Sequence, residues 1–300
     1  VVSARRVIAS AIPRTTIDIR PSATYGFRAM FSDYLTRWQL TPDGDPIMTR
    51  SSRLQPVRQS GVPAMLKVAM EAEEKFGGLL MSWWNGEGAA RVLAQHGDAL
   101  LLERAMGGRS LANFAKQGRD DEANRVICAV VAKLHTHRDK PPPDLIPLTR
   151  WFGELEPAAK KHGGILALSA ATACELLARP QDVVALHGDI HHDNILDFGA
   201  RGWLAIDPKR LHGERGFDYA NLFCNPENDM TVTAPDRFKR RVDVVSEAAG
   251  LERERLLRWI LAWSGLSAAW WLGDGVQPEI DFKIAELAAA ELSLSHPLPG

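Results

Sequence analysis

The spacing of apolar and polar residues changes character near residue 105. From about Trp38 to Val68, short apolar runs alternate with PDGDP, RSSR and QSG, which have the composition of tight turns, and this predicts a small antiparallel sheet. Met70 to Trp84 (MEAEEKFGGLLMSWW) shifts to helical spacing, with acidic residues in the first turn where the helix dipole favours them. Gly77 and Gly78 count against that helix by about 1 kcal/mol each. Residues 98–108 (DALLLERAMGG) read as an apolar strand ending in charge and glycine, as a crossing between two lobes would.

Beyond the crossing, helical spacing dominates. Val126, Ile127, Val130, Val131 and Leu134 share one face of a helix predicted over 120–137, acidic at its start and basic at its end. Further helices are expected at 150–162, 168–178, 216–224, 234–249, 251–272 and 278–293. The exception is the stretch holding VVALHGD, NILDF and WLAID, short β-rich runs around turns. The pattern predicts an α+β chain of two lobes. Residues 1–104 form a sheet-rich N-lobe with one helix, residues 105–300 a mostly helical C-lobe, and a cleft lies between them.

Composition narrows the partners. Lysine plus arginine (36) nearly cancels aspartate plus glutamate (37), so no net field draws the chain to nucleic acid or to an anionic membrane, and a small polar ligand is expected. Cys128, Cys174 and Cys224 are far apart and none lies in a CxxC spacing, which suits a reduced, cytoplasmic chain. VVSARRVIASAIPR carries arginines inside its apolar stretch, unlike a secretory signal, and no apolar run of about 18 residues suggests a membrane span. The sequence sets no oligomeric state.

The candidate chemistry lies in LHGDIHHDNILDFGARGWLAIDP, residues 186–208, where His187, His191 and His192 stand among Asp189, Asp193, Asn194, Asp197 and Asp207. Asp189 and Asn194 are five residues apart in a loop, and Asp207 follows Asn194 by 13 at the end of a second apolar strand, so loop and strand end can converge. Phosphoryl transfer needs a carboxylate to accept a hydroxyl proton, and an amide and a second carboxylate to hold Mg²⁺ against phosphates. Protein kinases carry these groups as H-R-D-x-x-x-x-N followed by D-F-G; HGDIHHDN and IDP fill the same places here. Mg²⁺ prefers hard oxygen donors, which makes Asn194 and Asp207 the candidate ligands and leaves His187 as a support within the loop, with His191 and His192 near the phosphates or the acceptor.

The same chemistry needs a strand lysine paired with a helix glutamate to orient the phosphates. PAMLKVAMEAEEK supplies Lys67 in an apolar strand, with Glu71, Glu73 and Glu74 opening the next helix, and Glu74 is the predicted partner. Ser51 and Ser52 in TRSSRL either cover the phosphates or form an ordinary hairpin turn, since no GxGxxG is present. Two other readings of the segment stay open. A metallohydrolase would use the histidines, but neither H-E-x-x-H nor a CxxC companion is present. A purely structural turn leaves Lys67, Glu74 and Asp207 in that order unexplained.

LHGDIHHDNIL, WLAIDPKRLHGERGFDYANLF and LLLERA closely resemble the aminoglycoside phosphotransferases, in particular the streptomycin 6-phosphotransferase and hydroxyurea-resistance kinase branch, over about Trp38 to Trp271. The resemblance implies a protein-kinase-like bilobal fold and transfer of the ATP γ-phosphoryl to a hydroxyl of a small molecule such as streptomycin. By position it makes Asp189 the catalytic base, Asn194 and Asp207 the Mg²⁺ ligands, and Lys67 with Glu74 the phosphate-orienting pair. The backbone of Glu103 and Ala105 would hold adenine. Asp218 in GFDYAN resembles a buried aspartate that braces the loop, and it also stands with Glu214 and Glu227 among candidate acceptor contacts.

Streptomycin carries guanidinium groups, so its pocket should present carboxylates, and Asp229, Asp274 and Asp281 join that set. Trp259, Trp263, Trp270 and Trp271 recur at helical spacing and read as core or cleft wall. The residues before Trp38 match no motif of the family, and no A-P-E follows Asp207 as it would in a protein kinase. Rival acceptors are hydroxyurea, another aminoglycoside or a metabolite alcohol. The rival from another class is a regulatory nucleotide-binding pseudokinase, against which intact Lys67, Asp189, Asn194 and Asp207 argue.

Overall fold

The computed structural model describes residues 30–49, 51–70, 72–226 and 229–295, leaving aside the side chains of 72–76 and 295. A first helix, α1, spans 30–37. The sheet that follows has six antiparallel strands in the order β1 (Leu40–Pro42), β3 (Ser52–Gln59), β4 (Val62–Ala69), β6 (Ala99–Glu103), β5 (Val92–His96), with β2 (Ile47–Met48) paired to β3.

Strand alternation decides which face each side chain takes. Ala64, Leu66 and Val68 of β4, with Ala99 and Leu101 of β6, pack against Phe31 of α1. Met65, Leu100 and Leu102 take the opposite face and pack with Met81, Phe198 and Ile206. Lys67 shares the period of Met65, so it projects on the side where the helical lobe lies. Helix α2 (Ala72–Trp84) crosses that face. Its two glycines permit close approach: a Cβ on Gly77 would stand 2.8 Å from the Pro208 carbonyl oxygen, and one on Gly78 2.5 Å from Leu100. What reads as a weakness in the helix is what lets it lie against both lobes.

The C-lobe helices are α3 (Leu111–Lys116), α4 (Asp120–Leu134), α5 (Leu148–Trp151), α6 (Leu155–His162), α7 (Gly164–Ala178), α8 (Phe217–Ala220), α9 (Pro235–Ala249), α10 (Arg253–Gly273) and α11 (Glu279–Ser295). From Trp259 to Trp270 α10 is buried on every side, so it runs through the centre of the lobe. A Cβ on its Gly265 would fall 2.2 Å from Ser169 of α7, so the two helices cross almost backbone to backbone. Trp259, Trp263 and Trp270 are core residues of this helix.

Several elements differ from expectation. The helix predicted over 150–162 is broken at Phe152–Glu154 into a 3₁₀ turn, and that over 216–224 is one α-turn continued as 3₁₀ over Asn221–Cys224. The predicted 120–137 helix stops at Leu134, and the 168–178 helix starts earlier, at Gly164. Strand β5 escapes sequence reading because it is a half-exposed edge with a bulge between Val92 and Ala94. The six-residue α3, capped by Ser110 Oγ on the Asn113 N–H, is too short to show a period.

Three short strand pairings hold the segment that carries the candidate chemistry. β8 (Val183–Leu186) and β7 (Ile146–Pro147) flank β11 (Leu211–Glu214), and β9 (Ile195–Asp197) pairs with β10 (Trp203–Ala205). The loop 187–194 thus hangs between β8 and β9, and Asp207 between β10 and β11. The lobes are stitched beside it: the Ala90 N–H donates to the Ala205 carbonyl at 2.9 Å and the Ala205 N–H to the Gly88 carbonyl at 2.8 Å. Among the described residues, no helix is long and apolar enough to cross a membrane.

Candidate active site

The loop after β8 is fixed from below by one carboxylate. Asp218, its side chain wholly buried, accepts the N–H of His187 at 2.9 Å and of Gly188 at 2.7 Å, and faces His135 Nε2 at 2.8 Å. His187 is itself enclosed, stacked on Trp84 with ring centroids 6.2 Å apart. Burial pushes its pKa down and keeps the ring neutral. Its partners then assign the tautomer: Nε2–H donates to the Ile206 carbonyl at 2.7 Å, while Nδ1 accepts the Asp189 N–H at 3.2 Å. One ring therefore couples the backbone of Asp189 to the residue before Asp207.

Asp189 is almost buried, and both of its oxygens are engaged. Asn221 Nδ2 donates to Oδ1 at 3.1 Å, and Lys209 Nζ stands 3.5 Å from Oδ2. Asn194 Nδ2 donates to the Asp189 backbone carbonyl at 2.9 Å, an orientation that leaves the hard amide oxygen available to a ligand. Asp207 occupies the left-handed region at φ +59°, and its Oδ1 meets Lys67 Nζ at 2.7 Å across the cleft. The lysine is 5% exposed and the aspartate 33%, so the carboxylate is the partner that reaches solvent.

The other expected nucleotide contacts fall as follows. Glu74 lies in α2, but its side chain is outside the described residues. Ser51 sits at the lip of the β2–β3 turn, its carbonyl accepting the Met70 N–H at 2.8 Å. The Ser52 hydroxyl is buried and has no hydrogen-bond partner among the described residues. Glu103 spends its N–H on the Arg91 carbonyl at 3.0 Å, and its carboxylate takes the Arg91 N–H at 2.7 Å and an Arg201 guanidinium from the opposite lobe. Ala105 makes no backbone hydrogen bond to the described residues.

The acceptor-side carboxylates need correction. Glu214 is 3% exposed, and it receives Arg255 and the Gln181 N–H, together with Trp259 Nε1 at 2.6 Å. With both oxygens saturated inside the helical core, it is a structural carboxylate. Asp218 is a loop brace for the same reason and presents no face to an acceptor. Glu227 lies outside the described residues. Asp229 caps Thr231 and pairs with Arg237. Asp274 ends α10, and Asp281 is buried in α11, where desolvation pushes its carboxyl up to about 6 against hydrogen bonds from Ser267 and Cys224 that lower it.

His192, expected near the phosphates or the acceptor, is buried instead. Its ring has no hydrogen-bond partner among the described residues, and desolvation, with Arg241 adding to it, holds it neutral. Asp197 serves the interlobe linker: it chelates Arg109 at 2.7 and 2.9 Å, which holds its carboxyl at about 2, and its carbonyl accepts the Gly107 N–H at 2.9 Å. Sequence reasoning overlooked Asn221, Lys209 and His135. A signal existed for Asn221, which follows Asp218 by three residues in FDYAN and so lies one helical turn on. Among the described residues, no three His, Cys, Asp or Glu side chains gather into a metal cage.

Comparison with known proteins gives the family. The family model for aminoglycoside/hydroxyurea antibiotic resistance kinases matches residues 37–275. Streptomycin 3''-kinase of Klebsiella pneumoniae is 52% identical over 245 residues, 80% of this chain and 92% of that protein. Streptomycin 6-kinase of Streptomyces griseus is 32% identical over 270 residues, 84% of this chain and 85% of that one. The family is the one that the motifs resemble, and within it the 3''-kinase shares more residues with this chain than the 6-kinase does.

Among solved structures, a choline/ethanolamine kinase family protein from Mesorhizobium loti matches with a TM-score of 0.60 at 14% identity, over 92% of this chain and 95% of that one. Aminoglycoside phosphotransferase APH(3'')-Id from Streptomyces rimosus, in complex with ADP and streptomycin, matches with a TM-score of 0.53 at 18% identity, over 83% and 99%. These two likenesses establish the protein-kinase-like fold.

Proposed function

Because the chain belongs to the aminoglycoside/hydroxyurea antibiotic resistance kinase family, we propose that it inactivates streptomycin by moving the γ-phosphoryl of ATP to one of its hydroxyls, the 3'' hydroxyl in preference to the 6. The observation that carries this reading is the 52% identity with a streptomycin 3''-kinase over 92% of that protein. The ADP and streptomycin bound to the Streptomyces rimosus enzyme support the same pair of substrates.

In this reading Asp189 is the base. Its carboxylate takes the proton of the acceptor hydroxyl as that oxygen bonds to the γ-phosphorus, and the bond from γ-phosphorus to the bridging oxygen breaks to leave ADP. Asn221 keeps the carboxylate in place, while Asp218 and His187 hold the loop so that the approach is set before the acceptor arrives.

The oxygen of Asn194 and the carboxylate of Asp207 are hard donors suited to Mg²⁺, which usually takes one or two protein oxygens and completes its shell with phosphates and water. Such an ion, when bound, neutralises phosphate charge. Lys67, paired with Asp207 here, would turn onto the phosphates, and Glu74 would be its helix partner. The Ala105 backbone and the Glu103 carbonyl would receive adenine, and Ser51 would border the phosphates. The test is to treat streptomycin with the enzyme and Mg²⁺-ATP and to locate the phosphate by phosphorus–proton NMR. Phosphate on the 3'' oxygen is expected, and phosphate on the 6 oxygen would overturn the regiochemistry.

A further inference from the structure

We propose that Lys209 is a positioning residue for phosphoryl transfer, holding the Asp189 carboxylate in the orientation that receives the acceptor's proton; the inference rests on the reading of Asp189 as the base. Lys209 Nζ lies 3.5 Å from Asp189 Oδ2, with the two side chains only 5% and 10% exposed. Asn221 donates to the other oxygen at 3.1 Å. The carboxylate is gripped at both ends, by a cation on one oxygen and an amide on the other. Rotation about its terminal torsion, otherwise soft, would break one grip or the other.

The backbone is bent to make this contact. Asp207 and Arg210, neither of them glycine, both take φ +59°, a conformation that costs about 1 kcal/mol or more for such residues. The turn between them folds back over the catalytic loop, where the Lys209 N–H donates to the His187 carbonyl at 2.6 Å. Gly188, at φ +84°, leaves room for it: a Cβ there would stand 3.1 Å from Lys209 Cβ and 2.7 Å from Leu211. Two left-handed residues and one missing Cβ thus converge on bringing the Lys209 ammonium to the Asp189 carboxylate. A buried ammonium is costly and is no better for stability than an apolar side chain of its size. Strain and a buried charge together at this point mark a contact kept for the reaction.

The test is steady-state kinetics on the full chain with Mg²⁺-ATP and streptomycin, for Lys209→Met, Lys209→Arg, Asp189→Asn and the double variant Asp189→Asn/Lys209→Met, each checked by thermal melting. Lys209→Met should lower kcat about 10²-fold and move the KM for ATP by less than about threefold, the signature of a displaced base over an intact nucleotide site. Lys209→Arg should recover part of that loss. In the Asp189→Asn background, Lys209→Met should cost nothing further, because a residue acting through Asp189 has nothing left to position. Near-normal kcat in Lys209→Met, or an equal loss in both backgrounds, would overturn the proposal. If the methionine variant does not fold, Lys209→Gln carries the same comparison. An active Asp189→Asn would instead remove the base assignment, whereas an inactive Asp189→Asn beside an unaffected Lys209→Met would remove the Lys209 inference alone.

Discussion

Two regions of the C-lobe bury carboxylates, and they do so on opposite terms. In the catalytic frame, Asp218 is wholly enclosed and accepts two backbone N–H groups and faces a histidine, so its charge is met by donors fixed in place. In the C-terminal helix pair, Asp281 of α11 is also buried, but desolvation outweighs its hydrogen bonds with Ser267, Cys224 and its own backbone and pushes it up to about 6. Burial alone therefore does not mark a functional acid. What separates the two is the supply of hydrogen-bond donors, and behind it the direction of the free-energy cost: removing the first carboxylate opens unsatisfied amides under the active loop, whereas removing the second relieves a charge that the fold holds at a loss.

Variants sharpen that contrast. The largest effect is expected at the group the frame exists to hold: Asp189→Ala should lower kcat by about 10²–10⁴-fold while ATP still binds, measured by coupled ADP release and by nucleotide titration. Next comes the frame itself. Asp218→Asn keeps the shape but loses the charge and one acceptor, and should cost about 2–3 kcal/mol in urea unfolding and lower kcat with it, because the loop carrying Asp189 loosens.

Asp281→Asn should act in the other direction. A carboxyl whose folded value is raised binds more protons folded than unfolded, so its contribution makes stability fall as pH rises from about 4 to about 6. The asparagine variant should be more stable than the parent above pH 6 by about 2–3 kcal/mol and equal to it below pH 4, as read from unfolding midpoints across pH. Asp120 supplies an internal control. Arg241 and Arg237 outweigh its desolvation and hold it at about 2, so its contribution is present above the ordinary carboxylate range and is lost as pH falls toward 2. The smallest effect is expected outside both regions. Gly77→Ala should raise helix propensity by about 1 kcal/mol yet still destabilise the chain by a similar amount, because its Cβ meets the Pro208 carbonyl. An increase in the KM for ATP should accompany it, since α2 carries Glu74.

The sequence was most readable where chemistry forces residue type and spacing together. Lys67 shows itself as a lysine within an apolar strand, and the alternation that carries Leu66 and Val68 into the N-lobe core turns Lys67 toward Asp207. Asp189 and Asn194 share a loop too short to separate them. Where partners come from far along the chain, the sequence misleads. Glu214 reads as an acid near the cleft until Arg255 and Trp259 of α10 enclose it. Lys209 carries no signal in the sequence, and the left-handed residues around it fold it inward. Strand β11 carries glycine and charge in LHGE and shows no strand pattern, and it exists because Leu186 and Ile146 lie on either side to pair with it.

The most direct test of the account is ADP release by the unmodified chain with Mg²⁺-ATP, measured with and without streptomycin. Saturable, streptomycin-dependent release, matched one for one by phosphorylated streptomycin, is the predicted result. Nucleotide binding with no streptomycin-dependent turnover would contradict it.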